Sequence, residues 1–228
     1  MSGRLVIVSS PIGNLDDLSA RARNALEEAD IIACEDTRHS GRLLSHLGIK
    51  KKLISLHEHN ERERSSHLVS LIEEGRVVAL LSDAGTPLIS DPGYPLVREA
   101  AEKGLRVEPI PGPSAVITAL VASALPPYPF TFVGFSPPQS KKRRRFYRQL
   151  QSYEHTLILF ESPHRIVASL VDALNELGDR PAAVCRELTK MHEEVIRGSL
   201  TEVHEVLAAR PSVKGEIVLV IGRPPKEK

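Results

Sequence analysis

Carboxylates, amides and cations gather in a few short segments of this chain, and their types suit ligand binding. Glu35-Asp36-Thr37-Arg38 sets two carboxylates beside a guanidinium. Two readings fit: Asp36 caps a helix and pairs with Arg38 at the surface, or Arg38 grips a phosphate while Glu35 or Asp36 orients a hydroxyl. Ser82-Asp83-Ala84-Gly85-Thr86-Pro87 runs on to Asp91-Pro92-Gly93. Main-chain groups around Ala84 and Gly85 suit a small polar ligand such as an amino-acid moiety, whereas Asp91 reads as the cap of the next helix. In Ser10-Pro11-Ile12-Gly13-Asn14-Leu15-Asp16, Gly13 permits close backbone approach, although a plain strand-to-helix turn fits equally well. Pro111-Gly112-Pro113-Ser114-Ala115 offers N–H groups at a positive helix end, an arrangement also common without any ligand.

The second half carries three further segments. Glu161-Ser162-Pro163-His164-Arg165 ends an apolar run, with Ser162 placed to cap a helix and Pro163 to open it. Arg186-Glu187-Leu188-Thr189-Lys190 repeats that arrangement. Lys141-Lys142-Arg143-Arg144-Arg145 is the densest charge run. It reads as a solvated helix face or, with Phe146, Tyr147 and Arg148 behind it, as a surface for phosphate neutralisation and ring stacking. His57-Glu58-His59 would put both imidazoles on one face of a strand with no third ligand assignable, so no metal site is expected. The chain has neither Gly-x-Gly-x-x-Gly nor Gly-x-x-x-x-Gly-Lys-Ser/Thr, which disfavours dehydrogenases, kinases and GTPases.

These segments follow short β-rich runs. Leu5 to Ser9, Ile31 to Cys34, Leu53 to Leu56, Val77 to Leu81 and Val107 to Ile110 read as strands alternating with helices, a rhythm that implies a mostly parallel sheet. Ser19 caps a helix ending near Ala29; Asn60 with Glu63 forms a capping-box-like start to a helix stopped at Gly75. Asp91-Pro92 and Gly104 bracket another. The break at Pro126-Pro127-Tyr128-Pro129 separates this half from strands near Phe130 to Val133, Leu157 to Phe160, Ala182 to Cys185, Glu194 to Arg197 and Ile217 to Ile221. Ile166, Val167, Leu170, Val171 and Leu174 make the apolar face of a helix that stops before Gly178. Two α/β domains are expected, residues 1–115 and 116–228, the second with a mixed sheet.

Of the 228 residues, 41% are hydrophobic and 26% charged, enough for both a core and a polar surface. No apolar run reaches the ~20 residues of a membrane span, and the opening is too short for a signal peptide, so a soluble compartment is expected. Cys34 and Cys185 read as reduced, partly buried thiols. A net charge of +1 does not announce a nucleic-acid binder, so any RNA contact must come from local patches. The tail Pro224-Pro225-Lys226-Glu227-Lys228 reads as frayed.

Taken in order, Pro11-Ile12-Gly13-Asn14-Leu15, Glu35 to Arg38, Ser82 to Gly93, Pro111 to Ala115, Glu161 to Arg165 and Lys214-Gly215-Glu216-Ile217-Val218-Leu219-Val220 resemble the tetrapyrrole methylase superfamily over nearly the whole chain. Within it, the resemblance is to bacterial enzymes that methylate the ribose 2′-oxygen of a cytidine in 16S ribosomal RNA. It implies a cytoplasmic homodimer without membrane attachment, acting on 16S rRNA or the small ribosomal subunit, with S-adenosylmethionine (S-adenosyl-L-methionine) in a cleft between the domains. Pro11, Gly13, Asp83, Ala84, Gly85, Thr86, Ser114 and Ala115 would meet the cofactor from the first domain, and Phe160, Glu161 and Ser162 from the second. Methyl transfer to a hydroxyl is an in-line displacement in which alignment dominates and a proton must leave. Glu35, Asp36, Glu161 and Lys190 are the candidates for the base, and sequence does not choose among them. Arg38, Arg165 and Lys141, Lys142, Arg143, Arg144 and Arg145 are the candidate RNA contacts. Methylation of a tetrapyrrole precursor, or RNA binding without catalysis on the same fold, are the rival readings.

Overall fold

Two compact units divide the chain, the first ending at Ser114 and the second beginning at Ala115. The computed structural model describes residues 3–224. Residues 1 and 2, and the tail expected to fray from Pro225 onward, lie outside them.

In the first unit, strands β1 (Arg4–Val8), β2 (Ile31–Cys34), β3 (Lys52–Ser55), β4 (Val77–Leu81) and β5 (Arg106–Ile110) alternate with helices α1 (Ala20–Glu28), α2 (Thr37–His46), α3 (Glu61–Glu73) and α4 (Tyr94–Glu102). The strand order is β3-β2-β4-β1-β5, and all four pairings are parallel. From β1 the chain crosses to β2 and out to β3, returns to insert β4 between β2 and β1, and leaves along the far side of β1 as β5. Successive side chains alternate faces, which explains why the central strands are apolar throughout. Val6, Val8, Ile32, Cys34, Ala79 and Leu81 pack under α1 and α2. Leu5, Ile31, Ala33, Val78 and Leu80 pack under α3 and α4. Both faces of the parallel sheet are thus covered.

Ser19 caps α1 by accepting a hydrogen bond from the Ala22 N–H. Asn60 does not cap α3: its carboxamide oxygen accepts from the His57 N–H and its amide donates to the Ser55 carbonyl, so it ties the preceding turn instead. Asp91 does not cap α4 either. That position belongs to Gly93, whose φ of 119° and close approach to Leu80 admit no side chain. His57 and His59 follow the end of β3 and lie in a turn, not on a strand.

The second unit holds β6 (Phe130–Phe135), β7 (Thr156–Glu161), β8 (Pro181–Arg186), β9 (Glu194–Ser199) and β10 (Ile217–Ile221), with helices α5 (Ala115–Ser123), α6 (Ser140–Gln149), α7 (Ile166–Leu177) and α8 (Leu200–Ala208). Its order is β6-β7-β10-β8-β9; β6 and β7 are parallel, the other neighbours antiparallel. β10 is central and buried at every residue, as its unbroken Ile-Val-Leu-Val-Ile run requires. β6 runs past Val133 to Phe135 through a register shift, with Gly134 at φ 72°.

The helix expected to open at Pro163 opens at Ile166. The Ser162 carbonyl accepts from the Arg165 and Ile166 N–H groups in a turn first, so Ser162 is not its cap. Val171, expected on its apolar face, is 39% exposed, while Asp172 and Glu176 are buried. α6 packs along α7 and supplies cations to those two carboxylates, which rotates the buried face away from the purely apolar stripe. Both cysteines are fully buried thiols. Among the described residues, no helix is long and apolar enough to cross a membrane.

Candidate active site

At the C-terminal edge of the parallel sheet, the loops after β1, β4 and β5 are laced together. Ser10 and Gly85 exchange both main-chain hydrogen bonds, at 2.9 and 3.0 Å. The Ser82 hydroxyl donates to the Gly85 carbonyl at 2.7 Å, and the Ser10 hydroxyl to the Ser82 carbonyl at 2.8 Å. The Thr86 hydroxyl donates to the Pro113 carbonyl at 3.0 Å and accepts from the Ser9 hydroxyl. Gly85 has φ 76°, and a Cβ there would meet the Ile12 side chain at 3.3 Å; a Cβ on Gly112 would stand 2.7 Å from that of Ser9. Leu88 and Ser90 also adopt left-handed backbone, at 74° and 68°. Strained residues persist where surrounding bonds over-determine the chain, a pattern typical of ligand-binding loops. The result is a fixed rim on which Ala84 and Gly13 stand exposed, Asp83, Thr86 and Pro11 half-buried. Such an edge, where the order of connection reverses, is where open α/β sheets bind ligands. Ser114 closes this unit; Ala115 opens α5 in the next.

Three carboxylates converge on the same edge. Asp83 accepts a long hydrogen bond, 3.4 Å, from the Asp36 N–H. Burial pushes the Asp91 carboxyl up to about 7, with Glu35 and Asp83 adding repulsion. Glu35, exposed, is likewise raised by desolvation and by the Asp83 and Glu58 carboxylates. Asp36 behaves oppositely. It caps α2 through the Arg38 N–H, and its hydrogen bonds with the Arg38 side chain hold it down at about 2. Asp36 and Arg38 thus form the helix cap and surface pair that one reading of the sequence offered.

In the second unit the candidates are more committed. Glu161 is buried and takes hydrogen bonds from the Ser136 hydroxyl, the Ser162 N–H at 2.8 Å and the Arg165 side chain at 2.7 Å. Its carboxylate organises the loop to Arg165 through these bonds, a scaffolding place among the four candidate bases. Lys190 lies 2.9 Å from Glu187 and 3.2 Å from Glu216. Burial opposes its charge, but those two carboxylates outweigh it and raise the ammonium above its ordinary value. The Phe160 ring packs against Phe132 and Phe135, with centroids 4.9 and 5.3 Å away.

The basic run divides. Arg143 is 3% exposed, turned inward onto Asp172 at 2.7 Å, and is no RNA contact. Phe146 and Tyr147 also pack inward, Tyr147 through its hydroxyl on Ser169, so the expected ring stacking is not offered. Lys141, Lys142, Arg144 and Arg145 remain exposed. Sequence reasoning missed Ser136, Asp172 and Glu176, whose partners lie 25 to 32 positions away, and read Asp91 only as a helix cap. The Ser199-x-x-Glu202 capping box of α8 was legible and unused.

A parallel sheet whose edge loops are tied into one rim, joined to a mixed-sheet unit, defines a two-unit α/β architecture. The sequence signature of the Tetrapyrrole (Corrin/Porphyrin) Methylases matches residues 4–204, and the chain belongs to that family. It is an S-adenosylmethionine-dependent methyltransferase. "Ribosomal RNA small subunit methyltransferase I" of Halalkalibacterium halodurans is 49% identical over 220 residues, 96% of this chain and 75% of that protein. The protein of the same name from Haemophilus influenzae is 46% identical over 228 residues, 99% of this chain and 81% of its own. Among solved structures, diphthine synthase aligns at TM-score 0.73 and 20% identity over 96% of this chain and 90% of its own. Uroporphyrin-III-C-methyltransferase from Thermus thermophilus aligns at 0.67 and 23%, over 96% and 94%. At those identities the likeness is one of fold. The rim fits the cofactor: Asp83 can face an ammonium, and the small residues Ala84 and Gly85 leave main chain open to an amino-acid end.

Proposed function

We infer that this chain methylates the ribose 2′-oxygen of a cytidine in small-subunit (16S) ribosomal RNA, as a cytoplasmic homodimer. The observation that carries the reading is the 46–49% identity to proteins named ribosomal RNA small subunit methyltransferase I across almost the whole chain. When bound, the cofactor supplies an electrophilic sulfonium methyl. Asp83 with the main chain of Ala84, Gly85 and Thr86 would hold its amino-acid end; Pro11, Gly13, Ser114, Ala115, Phe160 and Ser162 complete the set.

Glu35 is the proton acceptor in this reading. It is the one of the four candidates whose carboxyl is raised and which stands exposed without an ion pair among the described residues. A base is most effective when its pKa approaches the working pH. Asp36 is too weak a base, and Glu161 and Lys190 are occupied. Desolvation first, then the Asp83 and Glu58 carboxylates, raise the Glu35 carboxyl.

Purified protein, methyl-labelled S-adenosylmethionine and small ribosomal subunits from cells lacking the activity provide the test. Label recovered on a cytidine ribose after nuclease digestion and mass spectrometry is the expected result. No label on subunits or naked rRNA, with cofactor binding intact, overturns the reading in favour of a small-molecule acceptor such as a macrocyclic precursor.

A further inference from the structure

Helix α6 presents one face that the methyl-transfer chemistry does not use. Lys141, Arg144, Arg145 and Arg148 stand at i, i+3, i+4 and i+7, so they share a stripe roughly 10 Å long. With Ser140 and Gln149 they line an open concavity of about 730 Å³. The stripe cannot roll away from solvent, because the opposite face is pinned twice: Arg143 to Asp172 at 2.7 Å, and Tyr147 to Ser169 at 2.7 Å.

Two of the four cations are held as a pair. Glu176, with a side chain only 7% exposed, accepts from Arg144 Nε at 2.7 Å and from Arg148 Nε at 2.9 Å. Arg144 is gripped through Nε and Arg148 through Nε and Nη2, the latter at 3.3 Å, and the two side chains stay 49% and 64% exposed, each with further N–H donors beyond those bonds. Lys141 and Arg145 make no ion pair among the described residues. Among the described residues, the six cations of this helix form ion pairs with two carboxylates, Asp172 and Glu176.

We propose that this stripe is the docking surface for the phosphodiester backbone of RNA, with Glu176 as the positioning residue that spaces the Arg144 and Arg148 guanidiniums. The inference rests on the ribosomal RNA reading and deepens it. Planar forked donors suit phosphate oxygens. With Phe146 and Tyr147 turned into the core, no ring is offered to a base, so the contact reads charge and not sequence. Arg148 lies outside the run that the sequence singles out, and Arg143 inside it takes no part.

Lys141→Gln with Arg145→Gln is the first variant, since neither side chain supports the fold. Arg144→Gln, Arg148→Gln and Glu176→Gln together form the second, removing both cations along with the acid they neutralise. RNA binding is titrated against salt by filter retention of small-subunit rRNA, with cofactor affinity and labelling of subunits measured in parallel. The expected result is a slope of log K against log salt that is shallower by roughly 2 for each variant, with affinity lowered similarly for unrelated RNAs and cofactor affinity unchanged. Parental slope and affinity in both variants overturn the docking surface, whether or not the parent labels subunits. A parent that labels no rRNA, while the variants still lose slope, removes the functional reading and leaves the surface standing.

Discussion

Nη2 of Arg143 lies 2.7 Å from Oδ2 of Asp172, and both side chains are buried. The Asp172 carboxylate also accepts from Ser140, and the Arg143 guanidinium donates to the Pro138 carbonyl, so the pair joins the start of α6 to the middle of α7. Arg143→Ala leaves a buried carboxylate without its cation and is expected to destabilise the chain by about 3–5 kcal/mol. Denaturant unfolding measures this. RNA affinity of the folded variant stays at the parental value, because Arg143 does not reach the surface; an RNA defect at full folding contradicts that placement.

Gly85→Ala tests the rim. The new Cβ would stand 3.3 Å from the Ile12 side chain, on a residue at φ 76°. Left-handed backbone costs a residue with a Cβ about 1–2 kcal/mol, and relief by rotation would break the paired bonds to Ser10. Calorimetry should find S-adenosylmethionine affinity reduced at least about tenfold, the factor that corresponds to ~1.4 kcal/mol. Unchanged affinity would falsify the assignment of this turn to the cofactor.

Asp91 makes stability depend on pH. Its carboxyl is raised to about 7 in the folded chain, by burial first and then by Glu35 and Asp83. An unfolded aspartate ionises near 3.9, so between about pH 4 and 7 the folded state holds a proton that the unfolded state has released. Stability therefore falls as pH rises through that window and stays low above it. Asp91→Asn, always neutral, should match the parent near pH 4 and exceed it at pH 8, on the order of 1 kcal/mol after solvent screening of a half-exposed group. Thermal melts at the two pH values decide; a constant difference between them rejects the cause given.

Glu35→Gln and Glu161→Gln separate proton transfer from scaffolding. Removing Glu35 should lower kcat about 10²-fold and abolish the acid limb of its pH profile. Removing the Glu161 charge weakens its bonds to Arg165 and Ser162 and should reduce stability while leaving that limb in place. The opposite assignment of the limb would exchange the two roles.

What the sequence alone determined follows from local rules. Ser19 capped its helix because the cap bond spans three residues. The strands lay within a residue or two of the expected bounds in both sheets, since an apolar run of four to six residues between turn signals leaves little choice. The loop motifs at the sheet edge were legible because the family's residues stand there in order, and the family match bears out that resemblance.

Tertiary structure decided the rest, chiefly the fate of charged residues. Asp91 looked like a cap and became a half-buried acid because Gly93 took the turn, Asp83 of the same loop folded near it and Glu35 arrived from the end of β2. Five adjacent cations looked alike, yet a helix sends each to a different direction. Only the packing of α6 on α7 determined that Arg143 would meet Asp172 in the interior while Arg148, outside the run, would join Arg144 on Glu176. Backbone periodicity acts over a few residues and is written in the sequence; the partner of a charge across 28 or more residues is set by how helices dock, and no local pattern carries it.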